Sequence, residues 1–107
     1  MVTQIDVHEL SAMLGRGEPV YLVDVRQPWE HERAALPGSQ LIPLGELSAR
    51  AGEVTPPPGE HVATYCHHGI RSLDAAVFLQ GLGHRVASLS GGIDQWSLAI
   101  DRTIRRY

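Results

Sequence analysis

The sequence has a single cysteine, Cys66, and no lysine; its nine cationic side chains are all arginine. One thiol cannot close an internal disulfide, and the histidines and carboxylates lack the ligand spacing of a structural zinc site, so neither a metal nor a cofactor is expected. A formal net charge of -3 argues against the basic surface of a general nucleic-acid binder. Apolar runs of membrane-spanning length are missing. The opening residues Met1-Val2-Thr3-Gln4-Ile5-Asp6 lack the charged and apolar regions of a signal peptide. The expectation is a soluble protein of the reducing cytoplasm, with no nucleic-acid or membrane partner. At 107 residues, one domain covering 1–107 is expected.

What is present alternates short extended runs with helical ones. Asp6 and Glu9 are spaced as a capping box for a helix ending near Gly15. Val20-Tyr21-Leu22-Val23-Asp24-Val25 is an almost continuous apolar run, the pattern of a strand covered on both faces. Pro28 suits the first turn of a short helix, Leu41-Ile42 a short strand, and Leu44 to Ala51 a helix closed by Gly52. Thr55-Pro56-Pro57-Pro58-Gly59 reads as a stiff surface loop. Val62 to Tyr65 predicts a strand. Ser72 to Leu82 predicts a helix with Leu73, Ala76, Val77 and Gln80 on one face and Leu79 and Leu82 alongside, capped by Gly83. Arg85 to Leu89 predicts another strand, and Gly91-Gly92 a tight turn into a last helix carrying Ile93, Trp96 and Ile100. Strands separated by helices indicate an α/β fold of three layers, with a central, mostly parallel sheet flanked by helices. In such sheets ligands sit at the carboxyl ends of the strands.

Cys66 falls at one of those ends, in the run Cys66-His67-His68-Gly69-Ile70-Arg71-Ser72. A strand that stops at a thiol, turns through a glycine and restarts as a helix aims backbone N–H groups at one point, where an anion can be held. A thiolate is the simplest anion to place there. Free cysteine is often merely buried, but an inert thiol does not need histidines, a glycine, an arginine and a serine as its neighbours.

Four segments taken in order, Leu22-Val23-Asp24-Val25-Arg26-Gln27-Pro28-Trp29-Glu30, Leu36-Pro37-Gly38-Ser39 with Leu41-Ile42-Pro43-Leu44, Tyr65 to Ser72, and Gly91-Gly92-Ile93-Asp94-Gln95-Trp96, resemble a single-domain rhodanese. The resemblance implies the rhodanese α/β fold and a sulfurtransferase of the thiosulfate type, carrying sulfane sulfur as a persulfide on Cys66. The sequence departs from the family at Ala35, where many members have a histidine, which implies a looser hydrogen-bond network at that turn. The segment from Leu98 to Tyr107 resembles the ends of rhodanese domains fused to enzymes that activate sulfur carriers.

On this reading the Cys66 thiolate attacks a thiosulfate-like donor, and an acceptor such as cyanide, a thiol (glutathione or thioredoxin) or a sulfur-carrier protein then removes the sulfur. Amides from His67, His68, Gly69, Ile70, Arg71 and Ser72 are expected to line the cradle. Arg71 can attract an anionic donor or, the preferred reading, pair with Asp24 or an early glutamate to shape the loop. His67 and His68 can protonate near neutral pH and draw in anions, or contribute only their backbone. Ser72 either donates its hydroxyl to the site or caps the helix. Asp24 is expected as a partnered anchor, and Arg26 either as a donor-binding residue at the cleft mouth or as a surface ion pair. Trp29 and Trp96 are expected in the core or cleft wall, and His8, His31, His61 and His84 scattered on the surface.

Two other classes share this layout. A rhodanese-fold cysteine phosphatase or arsenate reductase has one more residue in the loop than the four that separate Cys66 from Arg71 here. A binding module that uses the fold without turnover generally lacks the cysteine, whereas a sulfur relay to a protein partner, the other non-turnover role, keeps it.

Overall fold

The computed structural model describes residues 2–107. Five strands form one parallel sheet: β1 (Thr3–Ile5), β2 (Val20–Asp24), β3 (Gln40–Leu41), β4 (His61–Tyr65) and β5 (Val86–Leu89), in the order β1-β5-β4-β2-β3. The helices are α1 (Val7–Gly15), α2 (Pro28–Arg33), α3 (Leu47–Arg50), α4 (Arg71–Gly81) and α5 (Gly92–Ala99).

Side-chain alternation along the strands divides the core in two. Leu22, Ala63, Tyr65, Ala87 and Leu89 pack on one face with Leu10 of α1 and Ile93 and Trp96 of α5. Val23, Val62, Cys66 and Val86 pack on the other with Leu47 of α3 and Ala75, Ala76 and Leu79 of α4. This is the three-layer α/β arrangement expected from the sequence. The chain leaves β2 toward β3 on one side and β4 toward β5 on the other. The connections therefore diverge above the carboxyl ends of β2 and β4, where a crevice can form.

Capping follows the sequence closely. Asp6 accepts the Glu9 amide at 2.8 Å while Glu9 accepts the Asp6 amide at 3.3 Å, and Pro28 opens α2. Three expectations need correction. Strand β1 was not expected; it is an edge strand of three residues with only Ile5 buried, too short to show a period. The segment from Leu44 to Ala51 is not one helix: 3-10 turns at Leu44–Glu46 and Ala51–Glu53 flank the four residues of α3, with glycines at 45 and 52 interrupting the run. Helix α4 is rotated from the expected face, burying Ser72, Ala75, Ala76 and Leu79 while Val77 and Leu82 stand exposed. The rotation follows from Ser72, which turns inward to meet Cys66, and positions three, four and seven residues on share its face.

Candidate active site

Strand β4 ends at Tyr65, and Cys66 follows it into the core with 1% of its surface exposed. The loop after it is fixed from the far side by α5. The Ile93 amide donates to the Cys66 carbonyl at 2.9 Å and the Asp94 amide to the His67 carbonyl at 3.2 Å. These are orphan donors of a helix N-terminus, and they turn the two loop carbonyls away from the thiol. Contact this close needs a glycine: at Gly92, with φ of +61°, a Cβ would overlap both carbonyl oxygens.

With its carbonyls committed outward, the loop presents an amide to the sulfur. Gly69 N–H donates to Cys66 Sγ at 3.0 Å, from a residue with φ of +106°. Ser72 Oγ stands 3.6 Å from Sγ and shares a 2.8 Å hydrogen bond with Ser88 Oγ of β5. The Thr64 hydroxyl donates to the Ser72 carbonyl at 2.9 Å and holds the start of α4 against β4. Ser72 is the second residue of α4, whose cap is Ile70, so its side chain faces the thiol and does not cap the helix.

Arg71 turns back into the protein. Its two terminal nitrogens reach the two oxygens of Glu30 on α2 at 2.7 and 2.9 Å. Glu30 also accepts the Gln27 amide at 3.0 Å and the Tyr107 hydroxyl at 2.7 Å. Burial opposes the charge on Glu30, but these donors outweigh it and hold the carboxyl down at about 2. Asp24, the other partner considered for Arg71, is taken by Arg26. Two parallel contacts at 2.8 and 2.7 Å join them, and both side chains are fully buried.

Arg26 is therefore neither at a cleft mouth nor on the surface. Its remaining donors go to the Ala34 carbonyl at 2.6 Å, the Tyr107 hydroxyl at 2.7 Å and the Glu30 carbonyl at 3.4 Å. A guanidinium beside an apolar strand end can be this deeply placed because its fork matches a buried carboxylate. His31 is also not a free surface group: its Nδ1 lies 2.8 Å from Asp24 Oδ2.

Above these pairs, three rings are stacked. His67 lies between His68, at a centroid distance of 4.0 Å, and Tyr107, at 4.1 Å. Burial, reinforced by the neighbouring His68, lowers the pKa of His67. That shift disfavours the charged form which the anion-attracting reading of His67 calls for. Trp29 is 55% exposed and meets the edge of Tyr107 at 5.6 Å, whereas Trp96 is in the core as expected. The charged groups around the thiol cancel in pairs, Asp24 with Arg26 and Glu30 with Arg71. The Gly69 amide and the Ser72 hydroxyl are left to stabilise charge on sulfur.

The turn that carries Ala35 is held by other groups: Leu36 N–H donates to the Tyr65 hydroxyl at 3.1 Å, and Ser39 Oγ meets that hydroxyl at 2.7 Å. A cavity of about 280 Å³ lined by Val20, His61 and Val86 lies at the amino ends of the strands, on the opposite edge from Cys66. Among the described residues no group of three or more His, Cys, Asp or Glu side chains can hold a metal, and no helix is long and apolar enough to cross a membrane. Sequence reasoning did not find Ser88, His31 or Tyr107. Ser88 and Tyr107 lie outside any local pattern, and His31 carries no sign that α2 faces Asp24.

A family model for the rhodanese-like domain matches residues 6–99. A sulfurtransferase of Allochromatium vinosum is 37% identical over 98 residues, covering 91% of this chain and 90% of that protein. The chloroplastic rhodanese-like/PpiC domain-containing protein 12 of Arabidopsis thaliana is 35% identical over 114 residues; the match covers 99% of this chain but 38% of that protein. Among solved structures, the human single-domain sulfurtransferase superposes with a TM-score of 0.77 at 25% identity, covering 92% of this chain and 98% of that one.

Proposed function

Because the chain belongs to the rhodanese-like family, whose members here include named sulfurtransferases, we propose that it transfers sulfane sulfur through a persulfide on Cys66. The observation that carries this reading is the sulfur's setting: Sγ at a strand end, with the Gly69 amide at 3.0 Å and the Ser72 hydroxyl at 3.6 Å. The Gly69 amide already points at the sulfur, and the Ser72 hydroxyl, which accepts from the thiol, can turn to donate once the thiol is ionised.

In the first half-reaction the Cys66 thiolate attacks the outer sulfur of a thiosulfate-like anion. A new S–S bond forms, the donor's S–S bond breaks, and sulfite leaves with its electron pair. The persulfide left on Cys66 carries its negative charge on the terminal sulfur. In the second, a nucleophilic acceptor such as cyanide or a thiolate attacks that terminal sulfur, and the Cys66 thiolate returns with the bonding pair. This is a double-displacement scheme with a covalent intermediate. Glutathione, thioredoxin or a sulfur-carrier protein fits the acceptor role as a source of such a nucleophile.

The phosphatase and arsenate-reductase readings need a cation facing the cradle to hold a tetrahedral oxyanion. Arg71 has both terminal nitrogens on Glu30, and the loop it closes has the shorter, four-residue form. A pure binding module has no use for the thiol so placed, and a relay to a protein partner would use the same Cys66 persulfide.

Intact-mass measurement after incubation with thiosulfate tests the proposal. The protein should gain one sulfur atom and lose it again to cyanide, and Cys66→Ser should gain none. An unmodified wild type that hydrolyses an aryl phosphate would refute the reading.

A further inference from the structure

We propose that Tyr107 is a positioning residue for Cys66: its ring clamps the His67 side of the sulfur-binding loop, and its hydroxyl joins the two ion pairs beneath that loop. The inference rests on the sulfur-transfer reading of the same site.

The Tyr107 hydroxyl bridges the side chains of Arg26 and Glu30, residues whose other contact is the Glu30 carbonyl at 3.4 Å from Arg26 Nη1. It accepts from Arg26 Nη1 at 2.7 Å and donates to Glu30 Oε2 at 2.7 Å. One continuous chain of contacts therefore runs from Asp24 through Arg26, Tyr107 and Glu30 to Arg71, the first residue of α4. Arg26 and Glu30 are buried, so each needs every partner the structure provides. The ring works from the other side. Its plane is within 12° of the His67 ring at 4.1 Å, and the His67 carbonyl is pinned by the Asp94 amide. His67 is thus held through both its side chain and its backbone. The residue two further on, Gly69, places the amide that meets Sγ.

The segment carrying Tyr107 is itself fastened to the body. Ser97 Oγ donates to the Ile104 carbonyl at 2.6 Å, and Arg106 pairs with Asp94 at 2.9 Å. Ile104 and Tyr107 pack against the core face formed by α1 and α5. Displacement at sulfur needs the Cys66 sulfur, the outer sulfur of the thiosulfate-like anion and the departing sulfite sulfur in one line. The Gly69 amide fixes where the thiolate sits, and ångström-scale errors in such alignment are costly. Tyr107 acts through His67 and Glu30, its hydrogen bonds and ring contacts being to those residues, Arg26 and Trp29 and not to the thiol.

The test compares Tyr107→Phe, which keeps the ring, with Tyr107→Leu, which keeps neither ring nor hydroxyl. Three quantities are read below the melting temperature, per titrated thiol: the rate of sulfur uptake at saturating thiosulfate, the rate of Cys66 alkylation by iodoacetamide, and hydrogen exchange at the Gly69 amide. The Leu variant should take up sulfur roughly tenfold more slowly at saturation. It should also show an altered alkylation rate and faster Gly69 exchange, with Phe, which keeps the stack on His67 but loses the bonds to Arg26 and Glu30, falling between Leu and wild type in each. A fall in melting temperature alone, with all three rates within twofold of wild type, overturns the proposal. Should the wild type gain no sulfur, the sulfur-transfer reading fails, and alkylation and exchange then decide the positioning role by themselves.

Discussion

Arg71 and Glu30 form a two-pronged ion pair between the first residue of α4 and the middle of α2, with contacts of 2.7 and 2.9 Å. It joins the helix after the Cys66 loop to the helix after β2, and so ties the end of that loop to α2. Its pH behaviour follows from Glu30. A carboxyl held at about 2 in the folded chain, against an ordinary 4.5 when unfolded, stabilises fully above 4.5. That contribution drains away as pH falls through 4.5 toward about 2. Glu30→Gln should lose roughly 1–3 kcal/mol of stability at neutral pH, less than the roughly 3–5 kcal/mol of a fully buried pair because Arg71 is partly solvated. Its stability should also vary less across the acid window. Urea denaturation of both proteins across that window measures this; identical acid slopes would remove Glu30 as the source.

Gly92 is where the sequence allows α5 to approach the loop. Two costs arise on adding a methyl group there: strain from the positive φ, and overlap with the Cys66 and His67 carbonyls. Gly17 separates them, since its φ is +73° but nothing lies within 4 Å of its would-be Cβ. Gly17→Ala should cost only the strain of a left-handed residue, about 1–2 kcal/mol. Gly92→Ala should cost clearly more and should also disturb Cys66 alkylation, because the loop must move. Equal melting temperatures for the two variants would mean that the loop yields freely.

Much of this site was legible in the sequence, and what was not has a physical reason. The Cys66 loop is contiguous, so its chemistry shows in one run of residues, and the Asp6 and Glu9 box and Pro28 act within a single turn. Arg71's partner was narrowed to Asp24 or an early glutamate by the rule that a part-buried arginine needs a carboxylate. Choosing between them required knowing that Arg26 already saturates Asp24. Arg26 itself was misplaced because an arginine after a strand is far more often at the surface. Tyr107 lies 81 residues from Arg26 and 77 from Glu30. No local spacing can announce a contact that only the folded chain creates.

Ser72 and Ser88 share a buried hydrogen bond of 2.8 Å beside the thiol. Removing one hydroxyl should cost more than its own bond, because the other is then left buried without it. Ser72→Ala is expected to lose about 1–3 kcal/mol, and the double variant less than the sum of the two single ones. Ser72→Ala should also slow alkylation of Cys66, since only the Gly69 amide then donates to the thiolate, whereas Ser88→Ala should slow it less. A double-mutant cycle in urea with parallel alkylation kinetics reads both effects. Additive stabilities would show that the two hydroxyls do not depend on each other.

Arg26 offers the sharpest separation of a supporting role from a binding one. Were it a donor-binding cation, its loss would raise the KM for thiosulfate and leave the fold intact. Its full burial and its pairing with Asp24 predict the reverse. Arg26→Met strands the Asp24 carboxylate with only the backbone amide of residue 26 and His31 as partners. A broken buried pair costs roughly 3–5 kcal/mol, a large share of the 5–15 kcal/mol typical of a whole domain. Arg26→Lys keeps the charge but not the planar fork, so it should be destabilised less and remain folded for kinetics. Its KM for thiosulfate is expected to stay within about twofold of wild type, because a residue this deeply buried meets no donor. A well-folded Lys variant with a strongly raised KM would return Arg26 to the cleft.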